Sequence, residues 1–319
     1  MTGQRIEFRW WHEVVLLGLL VALLLIAESR IPGFVSFRSQ LFLSRHLWEF
    51  AILATAMTLI IISGGIDLSV GSAMGLCAVA FGICFQFSGS LSISAIVCLL
   101  TGLLGGLFNG VLIAHFRLHP LIVTLATFAA FRGIAEGISQ GQSYSQFGDA
   151  FSQLARGTWF SVPIPGFIFA FLACSSALLL AKTPPGRFLY AIGHNPQAAR
   201  FSGVPVGRIR VGLYAWSGLL AGLATLIYVS RFDTAKADAG KGFELDVITA
   251  VVVGGTSIFG GRGTIIGTTL GLLLIHETRL FVGRYWRTDE LKSIVVGLLL
   301  IASVLIYRLL TKRDEVSKL

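Results

Sequence analysis

The sequence predicts an all-α membrane protein, a polytopic bundle of about ten transmembrane helices with both termini in the cytoplasm. Of 319 residues, 55% are hydrophobic and only 13% are charged, which is about half the charge of an ordinary soluble domain. Apolar runs long enough to cross about 30 Å of hydrocarbon recur along the chain. Short polar connections join them, so we expect one transmembrane domain over residues 1–319.

The apolar runs give the positions of the spans. We place them at 10–28, 48–64, 70–87, 92–115, 120–139, 164–182, 211–230, 245–259, 264–282 and 291–310. Arg5 and Arg9 precede the first run, as in a signal peptide. No small-x-small cleavage site follows, so an uncleaved first span is favoured.

The orientation rests on a polar segment at 182–210, between two strongly apolar runs. The segment contains no acidic residue, which is typical of a short loop kept in the cytoplasm. Its basic residues are Lys182, Arg187, Arg200, Arg208 and Arg210. With this loop inside, the turns at 116–119 and 260–262 and both termini are cytoplasmic as well.

The middle of this segment predicts a short helix. Asn195 can cap it, Pro196 suits its first position, residues 197–201 can form about two turns, and Gly203 can supply a left-handed stop. Such a helix is a docking element if a partner binds there. The alternative is that the arginines only set topology.

Two glycine-rich stretches, GGIDLSVGS at 64–72 and GGTSIFGGRG at 254–263, each follow an apolar run and can break a helix. Irregular backbone at membrane depth persists only where protein buries it or a watery cavity hydrates it. We therefore expect these stretches to line a pathway or to pack inside the bundle, and their similarity suggests a repeated unit. The candidate pathway or helix-break residues are Gly64, Gly65, Asp67, Ser69, Gly71, Asn109, Thr124, Gly254 and Gly255.

Asp67 is a candidate functional group because intramembrane carboxylates are costly. It can cap the helix that begins near Leu68, carry protons, or contact a polar solute. The cap is favoured because Ser69 and Ser72 are also typical helix-start residues.

Charges elsewhere predict pairs and solvated loops. Arg132 and Glu136 lie four residues apart, so we expect them to pair on one helix face, where they can also flank a gate. The outer loops carry charges of both signs, which can receive a soluble partner, although any solvated loop shows such charges. They include Asp149, Arg156, Arg231, Asp233, Lys236, Asp238, Lys241, Glu244, Asp246, Arg284, Arg287, Asp289 and Glu290.

Several functional classes are disfavoured. Cys77, Cys84, Cys98 and Cys174 lie in apolar runs without Cys-x-x-Cys spacing or clustered histidines, so no metal site is expected. The net charge of +9 is spread over loops and tails, which argues against a nucleic-acid partner. No G-x-x-x-x-G-K-[ST] motif is present, so the chain cannot hydrolyse ATP by that route, and we expect neither catalytic residues nor a cofactor.

Glycines at every fourth position predict close helix packing. The two runs are Gly102, Gly106, Gly110 and Gly263, Gly267, Gly271. Small residues at this spacing lie on one helix face and let neighbouring backbones approach.

The run GRFLYAIGHNPQAAR from Gly186 to Arg200, followed by Ser202-Gly203-Val204, closely resembles the cytoplasmic loop of carbohydrate ABC importer permeases. The ribose, xylose, rhamnose and autoinducer-2 permeases form this group, within the wider branched-chain-type permease superfamily. The stretches at 64–72 and 244–267 also match, and the resemblance extends from about Phe50 to Leu300.

This resemblance implies a non-catalytic permease subunit of an ATP-driven importer in the bacterial inner membrane. Its solute is a small carbohydrate, such as ribose, rhamnose or autoinducer-2. The loop then supplies a coupling helix that sits in a groove of an ATPase subunit, which binds the ATP. The implied coupling residues are Gly193, Asn195, Pro196, Ala198, Ala199, Arg200 and Gly203.

The other implied partners are a periplasmic or extracellular solute-binding protein, a second permease in a homodimer or heterodimer, and membrane lipid. Three alternatives stay open. An ion-coupled secondary transporter would use Asp67 and Glu136 for coupling. An ABC permease for branched-chain amino acids is the alternative within the superfamily. An intramembrane hydrolase would need a nucleophile and a base, but Ser69, Ser72 and His276 form no recognisable catalytic pattern.

Overall fold

A computed structural model describes residues 11–286 and, beyond them, residues 288, 291, 294, 295, 297–299 and 301. Helices make up most of this part of the chain, which confirms the all-α class. The helices are α1 (Trp11–Arg30), α2 (Phe37–Leu43), α3 (Trp48–Ile62), α4 (Val70–Ser88), α5 (Leu91–Ala114), α6 (Pro120–Ser139), α7 (Asp149–Arg156), α8 (Ile164–Lys182), α9 (Pro184–His194), α10 (Pro196–Phe201), α11 (Val206–Phe232), α12 (Phe243–Val253) and α13 (Ile265–Trp286).

Four two-residue strands form two small antiparallel pairs. They are β1 (Tyr144–Ser145), β2 (Thr158–Trp159), β3 (Val162–Pro163) and β4 (Thr234–Ala235). Strand β1 pairs with β4, and β2 pairs with β3. In register, Tyr144 lies opposite Ala235 and Thr158 lies opposite Pro163.

Seven helices in the described residues are long and apolar enough to cross a membrane: α1, α4, α5, α6, α8, α11 and α13. Each begins and ends within a few residues of a predicted span. The predicted span at 291–310 falls mostly outside the described residues, as do both termini.

The remaining two predicted spans differ from simple membrane helices. Helix α3 has only 15 residues, and it follows α2 and a 3₁₀ turn at Ser44–His46 across a bend of 60°. Helix α12 has 11 residues, or about 16 Å, too short to cross a bilayer by itself. The backbone explains this length, because Gly240 and Gly242 before it and Gly255 after it have left-handed φ angles that a helix cannot continue through.

Helix α3 forms the centre of the bundle. Every residue from Ala51 to Ile62 is buried, which explains why this helix is apolar on all sides. It packs against α8, α11, α12 and α13.

Glycine faces allow the closest helix contacts, as the four-residue spacing predicts. A methyl group at Gly106 of α5 would lie 3.0 Å from the Cα atom of Gly218 on α11. A methyl group at Gly271 of α13 would lie 2.9 Å from the Cα atom of Gly254 at the end of α12. These helices therefore meet backbone to backbone.

The connections that the sequence assigns to one side of the membrane lie at one end of the bundle, called here the loop end. The hydroxyl of Tyr190 in α9 donates to the carbonyl of Gly263 at 2.8 Å, and the Gly261 N–H donates to the Ile62 carbonyl at 2.9 Å. Thr124, after the 116–119 turn, donates to the Ile66 carbonyl at 3.3 Å. The β1–β4 pair, α7 and the β2–β3 pair lie at the opposite end.

Candidate functional site

The first helix break follows α3. Gly64 adopts φ +79°, and its N–H donates to the Ile61 carbonyl at 2.9 Å, while the Gly65 N–H donates to the Ile60 carbonyl at 3.0 Å. These two bonds form a Schellman motif, in which a left-handed glycine stops the helix. Gly64 is therefore required by its backbone conformation.

The second break, after α12, repeats this geometry. Gly255 adopts φ +87°, and its N–H donates to the Val252 carbonyl at 2.9 Å, while the Thr256 N–H donates to the Val251 carbonyl at 3.2 Å. By this geometry Gly64 corresponds to Gly255. Aligning the two Gly-Gly pairs in the sequence would instead match Gly64 with Gly254, one residue earlier. Two short buried helices that end in the same motif are consistent with a repeated unit.

Asp67 lies in the first break and is 2% exposed. Its Oδ1 accepts from the backbone N–H of Ser69 at 3.0 Å and from the Ser69 hydroxyl at 2.6 Å. Its Oδ2 accepts from the Ser217 hydroxyl at 2.9 Å. Helix α4 begins only at Val70, so Asp67 closes the turn before the helix instead of capping its first turn.

Four of the predicted pathway residues meet around this turn and are called here the Asp67 cluster: Asp67, Ser69, Asn109 and Thr124. Asn109 of α5 donates to the Ser69 hydroxyl at 2.9 Å, and Thr124 of α6 bonds to the Ile66 carbonyl. Asn109 and Thr124 thus tie α5 and α6 to the break, and the bond from Ser217 to Asp67 ties α11 to it.

Two further members of this cluster were missed from the sequence. Ser217 bonds to Asp67, and the hydroxyl of Tyr214 donates to the Ile66 carbonyl at 3.2 Å. Both lie within four residues of Gly218 on α11, and a polar side chain within such an apolar span is the signal that could have found them.

The structure brings Gly65 against the Tyr214 hydroxyl of the Asp67 cluster, but it places Gly71, Gly254 and Gly255 elsewhere. Gly71 lies against the carbonyl of Gly240 and the carboxylate of Glu244. Gly254 lies against the α13 glycines, and Gly255 lies against His12 of α1. These glycines serve close packing at separate places in the bundle.

The polar segment at 182–210 folds as two helices, α9 and α10, of which the sequence analysis predicted only the second. Asn195 caps α10, since its Oδ1 accepts from the N–H groups of Gln197 and Ala198 at 3.0 Å each. Pro196 is the first helical residue, and Gly203 has φ +84°. The predicted cap, first position and stop of this short helix are confirmed.

The two faces of α10 differ. Ala199 is 5% exposed and packs with Ile192 and Val206. Ala198 is exposed, and Phe201 is 91% exposed. Ala199 therefore holds the helix in place, while Ala198 and Phe201 form an outward face.

The end of α9 contacts both helix breaks without intervening side chains. A methyl group at Gly193 would collide with the Ile62 carbonyl and the Gly261 N–H. A methyl group at Gly260 would lie 3.0 Å from the Cα atoms of Gly193 and Gly64. Three backbones meet here: the end of α9, the end of α3 and the 254–263 stretch that follows α12. We call these contacts the glycine junction.

The expected pair of Arg132 and Glu136 is wrong, because no ion pair joins them in the described residues. The Arg132 guanidinium instead donates to the carbonyls of Ala237, of Ala239 at 3.4 Å and of Gly71 at 3.2 Å. Ala237 and Ala239 belong to a non-helical segment, 234–242, that packs along α4. Arg132 therefore satisfies the buried carbonyls that an irregular backbone leaves open.

Several charges assigned to solvated outer loops are buried or half-buried in the bundle. Arg231 pairs with Glu49 at 3.2 Å, and Glu49 is fully buried. Asp246 pairs with Arg279 at 2.6 Å, and Glu244 is 8% exposed. The predicted spans ended at residue 230 and began again at residue 245. In the structure α11 continues to Phe232 and α12 begins at Phe243, inside the bundle.

Metal-ligating groups do not gather in the part of the chain that the structure describes, where no cluster of three His, Cys, Asp or Glu side chains is found. The four cysteines are free thiols.

The sequence matches a family of permeases described as the branched-chain amino acid transport system permease component, over residues 43–304. The autoinducer 2 import system permease protein LsrD of Escherichia coli K12 is 35% identical over 306 residues, which cover 94% of this chain and 92% of that protein. LsrD of Shigella flexneri gives the same values. LsrD of Yersinia pseudotuberculosis is 35% identical over 302 residues, covering 93% and 91%.

No solved structure matches the chain. The family and these relatives confirm the resemblance to carbohydrate ABC importer permeases. With the apolar helices of the fold, they identify a multi-pass protein of the inner membrane. The chain therefore belongs to the family of branched-chain amino acid transport system permease components.

Proposed function

We propose that this chain is the non-catalytic permease subunit of an ATP-driven importer for a small sugar-like solute. The observation that carries the proposal is the glycine junction. It attaches a short helix with an exposed outer face to the two places where the central helices break.

In this proposal the ATPase docks on the outward face of α10 at the cytoplasmic side. Ala198 leaves room for a partner surface, Phe201 supplies an apolar anchor that is 91% exposed, and the exposed Arg200 adds positive charge. Aromatic residues and arginines carry much of the binding energy of protein interfaces. ATP is bound by the partner, and this chain needs no cofactor of its own.

The glycine junction then transmits movement. When the ATPase shifts α10, Gly193 moves with α9 and displaces the Ile62 carbonyl and the 254–263 loop. Both breaks lie at the loop end, so one displacement can open or close the inner end of a pathway. Rigid contacts between packed backbones favour two discrete arrangements over gradual bending.

Asp67 supports this mechanism better than an ion-coupled one. Both carboxylate oxygens accept hydrogen bonds from hydroxyl or amide donors of Ser69 and Ser217, which gives Asp67 a positioning role. The Oδ1 atom of the buried Asn109 has no hydrogen-bond partner within the described residues, so it can accept a hydrogen bond from a solute hydroxyl when the pathway opens.

The solute is proposed from the relatives, which are named as autoinducer 2 import permeases. We infer autoinducer-2 or a monosaccharide of similar size, delivered by a soluble binding protein on the outer side. The family description names branched-chain amino acids, so these are the second candidates. Uptake of labelled candidate solutes by membrane vesicles that contain the whole importer decides between them.

A second permease is proposed to pack on α6. Ala129, Gly133 and Gly137 are exposed at four-residue spacing, and nothing lies within 4 Å of a methyl group at either glycine. Small residues on an exposed face allow two helices to approach closely in lipid. Cross-linking of a cysteine at Ala129 between identical subunits would indicate a homodimer, and cross-linking to a different permease would indicate a heterodimer.

The docking face can be tested with single variants. Phe201→Ala and Ala198→Glu should reduce both co-purification of the ATPase and solute uptake, while membrane abundance stays near that of the parent, since both side chains are exposed. Phe87→Ala is the matched control, because Phe87 is 87% exposed at the opposite end. Normal uptake with bound ATPase in both variants would show that α10 is not the docking element. Ala199 is excluded from this test because it is buried.

A further inference from the structure

The short hairpin between α7 and α8 has an unusual turn. Strands β2 and β3 are joined by Phe160 and Ser161, which adopt φ +50° and φ +64°. Two consecutive left-handed residues are typical of a type I′ turn, which strongly favours Asn-Gly. A phenylalanine in this conformation is strained. The turn therefore keeps a large aromatic side chain at a position where a small polar residue would be more stable.

The aromatic side chains of this hairpin point away from the protein. Trp159 is 60% exposed and Phe160 is 83% exposed, and their rings stack at 5.4 Å. Trp159 also lies 5.4 Å from Phe167 on α8. Phe171, one turn further along α8, is 73% exposed. The hairpin and the outward face of α8 form one continuous aromatic strip.

The position of the hairpin along α8 indicates what covers this strip. Helix α8 begins at Ile164, directly after β3, and has 19 residues, or about 28 Å. That length matches the hydrocarbon of one bilayer. The hairpin therefore lies where hydrocarbon meets lipid headgroups, the level at which Trp residues are enriched.

We propose that residues 158–163 are a lipid anchor, with Trp159 and Phe160 inserted at the boundary between headgroups and acyl chains in the leaflet opposite the loop end. The strip is continuous with a membrane-spanning helix, as a lipid contact requires. Residues 157–171 contain no charged side chain, so the strip lacks the complementary charges that typically steer a soluble partner.

The anchor is tied to the centre of the bundle through α7. The Ile164 N–H donates to the Gly157 carbonyl at 3.0 Å, and the Ala155 N–H donates to the Ser230 hydroxyl at 3.0 Å. Arg156 donates to the carbonyl of Arg231 at 2.8 Å. The depth of the hairpin in the lipid thus fixes the end of α11 that carries the buried Arg231–Glu49 pair.

Tryptophan fluorescence in lipid nanodiscs tests the proposal. Subtracting the emission spectrum of W159F from that of the parent isolates the emission of Trp159. The Phe replacement keeps an aromatic ring at this position. We expect a blue-shifted difference spectrum that lipids brominated near the carbonyl end of the chain quench, and that aqueous iodide does not. Quenching by iodide without quenching by brominated lipid would overturn the anchor. Protection of Trp159 from iodide only after the soluble binding protein is added would assign the strip to protein docking and would also overturn it.

A second variant separates the side chains from the turn. F160N/S161G places the preferred residues in the type I′ turn, so the hairpin should form at least as well as in the parent. We expect weaker quenching of Trp159 by brominated lipid, because the second inserted ring is lost. Unchanged lipid quenching in this variant would contradict the role of Phe160 and overturn the two-residue anchor.

Discussion

Gly193→Ala is the most direct test of the glycine junction. The added methyl group would lie too close to the Ile62 carbonyl oxygen and the Gly261 nitrogen for any real contact, and 3.0 Å from the Gly261 Cα atom. All three are backbone atoms, which cannot rotate away as a flexible side chain does. The variant therefore has to move α9 away from at least one helix break.

The cost follows from two effects. Overpacking of this kind typically costs about 1–3 kcal/mol. Separating the 254–263 loop from α3 also breaks the hydrogen bond from Gly261 to Ile62, for about 0.5–1.5 kcal/mol. The intact glycine junction should be destabilised by about 1.5–4.5 kcal/mol in total, which corresponds to about tenfold to two-thousand-fold in an equilibrium.

The assay measures docking and transport separately. The exposed face of α10 is unchanged, so the ATPase should still co-purify with Gly193→Ala, while solute uptake falls at least tenfold. This pattern differs from Phe201→Ala, which loses both. Gly212→Ala is the matched control, because a methyl group at Gly212 of α11 meets nothing within 4 Å. A Gly-to-Ala change inside a helix should be stabilising by about 0.5–1 kcal/mol.

Uptake at the parent rate by Gly193→Ala, with unchanged thermal stability and ATPase binding, would refute the reasoning. The close approach of the three backbones would then have no part in coupling. Loss of ATPase binding together with uptake would place the defect in the docking face instead.

Three other predictions concern the Asp67 turn, the Arg132 contacts and the orientation. Asp67→Asn should keep most uptake and membrane abundance, because the amide still offers an acceptor and a donor. Asp67→Leu should lower membrane abundance, because it leaves buried donors unpaired. Loss of uptake at full abundance in the Asn variant would instead favour proton coupling. Arg132→Leu should reduce stability by about 1–3 kcal/mol for each carbonyl left unsatisfied, while Glu136→Gln should be as stable as the parent. An equal loss of stability in the two variants would contradict the contacts of Arg132 described above. A cysteine at Asn195 should resist membrane-impermeant thiol reagents in intact cells and one at Gln146 should react; the reverse labelling would invert the topology.

Local sequence determined the features that depend on neighbouring residues. The apolar runs located seven spanning helices within a few residues, because a membrane helix must bury its backbone hydrogen bonds within one segment. Asn195, Pro196 and Gly203 identified α10, since capping and the left-handed stop involve residues only a few positions apart. The contiguous motif from Gly186 to Arg200 was also sufficient to indicate the permease family, because it depends only on the order of neighbouring residues.

The tertiary structure decided what depends on residues far apart in the chain. The sequence places glycines at 64 and 260, but only the fold shows that both meet Gly193. Arg132 pairs with distant carbonyls instead of with Glu136, because the 234–242 segment returns into the bundle and leaves backbone acceptors that only a long cationic side chain reaches. Helix propensity and charge spacing act over a few residues, whereas burial and unsatisfied hydrogen bonds are settled by the packing of the whole bundle.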